Sequence, residues 1–168
     1  MFSVNVPVPG TVAAAAMDLR PALTDFERIR DRYTCVLKRL DVTDREGFLT
    51  VSREVRRVVR GTPPFAVQLD GFGVFRDPPA GPAPVLYLSV EGDGLTMLHE
   101  QLVESFDCVE GLEGPDYQPH ITLSRGGSVD VDEVMERIDP PLHTWSVNRL
   151  TFWDGRRGER AGEISLPD

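Results

Sequence analysis

Lysine is almost missing from this 168-residue chain: Lys38 is the single lysine among 18 basic residues, and the others are arginine. Against them stand 27 acids, giving a formal net charge of −9. That sign argues against a broad electrostatic footprint for long nucleic acid, while leaving room for a small cationic pocket. The acids are scattered rather than clustered, and scattered acid with almost no lysine fits a surface adapted to high salt. Cysteine is scarce as well. Cys35 and Cys108 form neither a CxxC pair nor part of a metal-ligand cluster, so a reduced compartment is expected and a bound metal is not. No run approaches the roughly 20 apolar residues of a membrane helix. The segment from Met1 to Pro7 lacks the basic and long apolar stretches of a signal peptide. The expectation is a soluble, cytoplasmic monomer with no membrane partner.

What is present is a regular succession of short elements. Phe2–Val6 reads as a strand, and Pro9-Gly10-Thr11 opens a helix through the alanines that follow. Pro21 starts a second turn or a kink. Arg32–Leu40 reads as a strand. Asp41–Asp44 caps a helix over Arg45–Arg60, with Phe48, Val51, Val55 and Val58 at helical spacing. Phe65–Phe75 is a long strand, Pro78–Pro84 a loop and Val85–Val90 a strand. A helix follows to about Phe106, with Leu95, Leu98, Leu102 and Phe106 on one face. His120–Arg125 is a strand, Val129–Ile138 a short helix, Thr144–Trp153 a strand and Glu163–Leu166 a last strand. The two halves share one order of elements, so the pattern predicts two related α+β lobes, about 1–78 and 85–168, with partly intermixed strands.

The chemistry concentrates in Pro119-His120-Ile-Thr122-Leu-Ser-Arg125. His120 and Thr122 are two apart on a strand and so share a face. An imidazole beside a hydroxyl, with an arginine just downstream, suits proton transfer near a bound phosphate. In the first half, Arg32-Tyr33-Thr34-Cys35-Val36-Leu37-Lys38-Arg39-Leu40 occupies the matching place, and Tyr33 precedes His120 by 87 residues (120 − 33).

These stretches resemble the 2H phosphoesterase superfamily, and within it the branch of the 2′-5′ RNA ligases, or RNA 2′,3′-cyclic phosphodiesterases. The resemblance implies an α+β fold of two pseudo-symmetric antiparallel lobes, helices outside and a groove between. It implies two His-x-Thr motifs facing each other, one imidazole acting on the attacking water and the other on the leaving ribose oxygen. It also implies no cofactor, and RNA ends or small nucleotides as partners. The second motif fits through His120 and Thr122. The first departs from the pattern: Tyr33 followed by Thr34 stands where a His is expected, or Arg32 takes the His place with Thr34 in the Thr place. If Tyr33 faces the groove, so do Cys35 and Leu37; if Arg32 does, so do Thr34 and Val36. A Tyr, with an ordinary pKa about 3.5 units above that of His, donates a proton but is a poor base at neutral pH. Lys38 and Arg125 are expected to supply positive charge, Arg125 as a bidentate phosphate clamp.

His99 lies in a helix and His143 just after Pro140-Pro141, so both read as structural. Trp145 and Trp153 read as strand core. Gly71, Gly73, Gly92, Gly94, Gly126 and Gly127 match no nucleotide-binding fingerprint and read as turns.

Overall fold

The chain folds around two antiparallel sheets in the computed structural model, which describes residues 1–167. The strands are β1 (Phe2–Val6), β2 (Arg28–Ile29), β3 (Cys35–Leu40), β4 (Phe65–Phe75), β5 (Val85–Glu91), β6 (His120–Arg125), β7 (Thr144–Val147), β8 (Arg149–Asp154) and β9 (Glu159–Ser165). The helices are α1 (Gly10–Asp18), α2 (Arg45–Val58), α3 (Asp93–Ser105) and α4 (Val131–Arg137), with 3-10 turns at Arg20–Leu23 and Gly114–Asp116. One sheet has the order β3-β1-β8-β9 and the other β2-β6-β5-β4-β7. Setting β3 on β6, β1 on β5, β8 on β4 and β9 on β7 superposes the two orders, so the expected pseudo-symmetry is present in the sheets themselves.

The strands are exchanged between the halves. β4 leaves the first half to pair with β5, and β8 leaves the second half to pair with β1. Thr144–Trp153 reads as one strand in sequence, but the chain breaks at Asn148 and switches sheets, giving β7 at the edge of one and β8 inside the other. The inward positions are Trp145 and Val147 before the switch and Leu150 and Phe152 after it, so the alternation slips by one residue at Asn148–Arg149, where the chain changes sheets. The strand expected from Arg32 begins only at Cys35, because residues 31 and 32 bend. β2 has too few residues to carry a pattern and forms by pairing Arg28 with Arg125 and Ile29 with Ser124.

Two of the helices start on a side-chain cap. Asp44 caps α2 by accepting from the Gly47 N–H at 2.7 Å, and Asp130 caps α4 by accepting from Glu133 N–H at 3.1 Å. The apolar face of α2 closes over one side of the first sheet, where Phe48 stacks on Phe2 at 4.4 Å and meets Phe152 edge-on at 5.4 Å. Every residue of β1 is buried, which is what a central strand covered on both faces requires. Among the described residues, no helix is long and apolar enough to cross a membrane.

Both sheets carry a β-bulge at the same place. Asn5 pairs with Val36 and Val4 with Lys38, so Leu37 is passed over. Tyr87 pairs with Thr122 and Leu86 with Ser124, so Leu123 is passed over. A bulged residue leaves the ladder, and its buried carbonyl needs another donor. His99 Nδ1 serves Leu37 O at 2.7 Å, and Arg30 N–H serves Leu123 O at 2.9 Å.

Candidate functional site

The two bulges fix which residues of the halves correspond. Leu37 matches Leu123, an offset of 86 (123 − 37). The same offset sets Thr34 against His120, Val36 against Thr122 and Arg39 against Arg125. The spacing of 87 that would match Tyr33 to His120 is therefore one residue out of register. Thr34 and Val36 both line the cavity between the sheets, whereas Cys35 and Leu37 are completely buried on the opposite face of β3. A one-residue slip exchanges the two faces of a strand, so the difference decides which side chains meet a ligand.

That cavity has a volume of about 320 Å³. Arg30, Thr34, Val36 and Arg39 line one side, and His120, Thr122 and Arg125 another. Loop residues Asp77–Ala80 and Gly111–Leu112 complete the wall. The structure thus brings together His120, Thr122, Thr34 and Arg125 of the sequence-predicted residues. It does not bring in Tyr33, Arg32 or Lys38.

Tyr33 packs against the hydrophobic core and donates its hydroxyl to Arg30 O at 3.2 Å. Burial pushes its phenol above the usual value, with Arg20 pulling down and Asp31 pushing up, so it stays protonated. Arg32 turns away and donates to Gly158 O. Lys38 is 1% exposed and forms an ion pair with Glu113 at 2.8 Å. Its other donors reach Arg39 O at 2.7 Å and Asp107 O at 2.8 Å, so it is a structural cation and not a ligand to substrate.

His120 is held by its neighbours. Its Nδ1–H donates to Gln118 O at 2.7 Å, which turns Nε2 into the free ring nitrogen. Phe75 meets the ring edge-on at 5.0 Å and Tyr87 lies at 5.2 Å. Burial lowers the imidazole pKa; the Gln118 carbonyl raises it again, and Arg39 and Arg30 add to the lowering. The ring is neutral at pH 7 and carries a base at Nε2. Behind it, the Cys35 thiol is pushed up to about 12 by burial, partly offset by a hydrogen bond with the His120 backbone. A thiol held there is inert.

Arg125 lines the cavity but has given two donors to the loop, to Pro82 O at 3.1 Å and Ala80 O at 2.6 Å. It braces the loop before it meets any anion. Arg30 and Arg39 are the cations that sequence reasoning missed. Arg39 corresponds to Arg125 by the offset of 86, which only the paired bulges fix. Arg30 was not readable either, because its place depends on β2 pairing with β6.

The other two histidines lie elsewhere. His99 is buried, donates through Nδ1 to Leu37 O, and accepts from Gly114 N–H at 2.9 Å. It stacks on Tyr117 at 3.6 Å, and Tyr117 donates to Val36 O at 2.9 Å. His143 contacts Thr11 Oγ1 at 3.3 Å. No group of three or more His, Cys, Asp or Glu side chains that could hold a metal ion occurs among the described residues.

Comparison with known proteins agrees with this fold. No curated protein matches the chain. TT0787 of Thermus thermophilus superposes with a TM-score of 0.71 at 22% identity, covering 98% of this chain and 97% of its own. Apo LigT of Escherichia coli gives 0.72 at 18%, covering 99% and 97%. LigT complexed with 3′-AMP gives 0.69 at 17%, covering 99% and 98%. At these identities the likeness establishes the fold. The family follows from a sequence model, that of the 2′-5′ RNA ligase superfamily, which matches residues 18–159. The chain belongs to the 2′-5′ RNA ligase superfamily.

Proposed function

We propose that this chain recognises the phosphate of a 2′,3′-cyclic ribonucleotide end and opens it slowly, with His120 as its single proton carrier. One observation carries the reading: a neutral imidazole with a free Nε2 shares a cavity with Arg30, Arg39 and Thr122, and Thr34 and Val36 stand where a second His-x-Thr would be. His120 takes a proton from water, the water oxygen attacks phosphorus, and the bond from phosphorus to one ribose oxygen breaks. Thr122 and the arginines hold the phosphoryl oxygens as charge develops. The leaving oxygen takes its proton from solvent, because the Thr34 hydroxyl is far too weak an acid to serve at neutral pH. A missing general acid costs about 10²–10⁴-fold in rate.

The presence of 3′-AMP in LigT supports a nucleotide phosphate as ligand. Scattered acid and a single lysine support work in concentrated salt. Val36 favours a second reading, phosphate binding without turnover, since it leaves one phosphoryl oxygen without a hydroxyl. The test is hydrolysis of an oligoribonucleotide with a 2′,3′-cyclic phosphate end, in high potassium chloride. Wild type, His120→Ala and the double variant Thr34→His/Val36→Thr are compared. Slow hydrolysis lost in His120→Ala supports the proposal. Binding without hydrolysis in the wild type transfers the assignment to the second reading.

A further inference from the structure

β3 sits at the edge of the first sheet and β6 lies inside the second, so among the described residues no ladder joins these two strands. Yet they supply opposite sides of the cavity, Val36 and Arg39 on one and His120 and Thr122 on the other. Their spacing is left to side chains, and the second half of the chain grips β3 residue by residue. The His120 backbone meets the Cys35 thiol, and Tyr117 donates its hydroxyl to Val36 O at 2.9 Å. His99 Nδ1 donates to Leu37 O at 2.7 Å, and Glu113 accepts from Lys38 Nζ and from Arg39 N–H, both at 2.8 Å.

Tyr117 differs from His99 and Glu113 in where it leads. His99 belongs to α3 and Glu113 to a loop, whereas Tyr117 stands three residues before His120 in one short segment. That segment is stiff. Pro119 fixes a backbone torsion, Val90 N–H donates to Pro119 O at 3.0 Å, and His120 Nδ1 donates to Gln118 O at 2.7 Å. The Tyr117 ring is held too, stacked on His99 at 3.6 Å with 15° between the planes. Burial first pushes its phenol well above the usual value; Cys35 and Glu113 add to this and Arg39 opposes it, so the hydroxyl keeps the proton it donates. A rigid arm thus runs from His120 to the carbonyl of Val36.

We propose that Tyr117 is a positioning residue that sets the width of the cavity, holding β3 at a fixed distance from His120 through the Val36 carbonyl. Tyr117 is not part of the cavity wall and acts through the strand that carries Arg39. Its share in turnover rests on the reading of the cavity as a phosphate site; the spacing does not. In-line attack uses both sides of the cavity at once, and a misplacement of about 1 Å can cost about 10²-fold in rate.

The test compares wild type with Tyr117→Phe, which keeps the ring on His99 and loses only the donor. The first readout is ligand-free, the NMR titration of the His120 ring. Arg39 and Arg30 are the charges that lower the His120 pKa after burial, while Tyr87 and Cys35 beside it stay protonated. With β3 released, Arg39 draws back, and the His120 midpoint should rise by about 0.3 or more. In an Arg39→Gln background Tyr117→Phe should add no further rise. The second readout is hydrolysis of a 2′,3′-cyclic phosphate end by Thr34→His/Val36→Thr, where two imidazoles must align. There Tyr117→Phe should lower kcat about 10-fold or more and leave KM within about twofold. Tyr117→Gln, whose flexible amide can serve Val36 O without fixing its distance, should behave alike and takes the place of Tyr117→Phe if that variant does not fold. Thermal melts accompany each variant. A His120 midpoint that stays in place while the melting temperature falls makes Tyr117 a purely structural residue and overturns the proposal, as does an equal rise in the Arg39→Gln background. If the titration behaves as expected and no variant binds or hydrolyses the cyclic end, the spacing stands and the phosphate reading fails.

Discussion

Lys38 Nζ lies 2.8 Å from Glu113 Oε1, and each side chain is 1% exposed. The pair joins β3 to the loop that forms one wall of the cavity. Glu113 also accepts from Arg39 N–H at 2.8 Å and Val109 N–H at 2.9 Å. Such a pair is satisfied on every side, and removing one partner leaves a buried charge at a cost of about 3–5 kcal/mol. Lys38→Met and Glu113→Gln should each lose about that much in urea unfolding. Lys38→Met/Glu113→Leu should lose less than the two singles together. A single variant within 1 kcal/mol of wild type would show that the pair is not what holds the loop.

His99 makes the same loop sensitive to acid. It must be neutral to donate to Leu37 O and accept from Gly114 N–H. Its pKa is lowered by burial first; the Leu37 carbonyl and Glu113 oppose that, and Lys38 adds to it. With the folded pKa below 6.5, the unfolded chain takes the proton first as pH falls. The stabilisation is complete above about pH 6.5 and is lost on descending through the folded value. His120 shifts the same way and adds to the slope. Urea unfolding at pH 7, 6 and 5 should show falling stability, with a shallower fall in His99→Gln. An unchanged slope in that variant would assign the whole effect to other groups.

The pH profile of hydrolysis should distinguish one proton carrier from two. With His120 alone, the rate should show a single acid limb, its midpoint below 6.5, and no basic limb near neutrality. Thr34→His/Val36→Thr should raise the rate about 10²–10⁴-fold and turn the profile into a bell. A bell-shaped profile in the wild type would mean that a second titrating group already acts.

Gly73 keeps room for the wall behind His120. A Cβ there would run into the Tyr87 ring, which packs on both Phe75 and His120. Tyr87 is 8% exposed and has little space to yield. Gly73→Ala should cost about 1–3 kcal/mol by overpacking and move the His120 ring. The ring resonances of His120 in a proton NMR titration should shift. Wild-type stability with an unmoved titration would contradict this packing.

His120 and Thr122 were legible because a period of two on one strand needs no partner to be read. β4 was legible to its ends, Phe65 and Phe75, because Gly61-Thr-Pro-Pro before it and the proline-rich loop after it set sharp limits. The first motif was misplaced by one residue because Tyr33 looks like a histidine substitute. Its strand, moreover, starts two residues later, at Cys35. Lys38 looked like a phosphate ligand because sequence cannot show a charge meeting its partner 75 residues away.

The sequence by itself determined most of the strands and helices, the duplication and one His-x-Thr, since these depend on local periodicity and residue chemistry. Tertiary structure alone decided that Thr34 and Val36 face the cavity, that Arg30 and Arg39 join them, and that Lys38 does not. The reason is that bulge register and strand exchange are set by pairing between distant segments. No single segment contains its own partner.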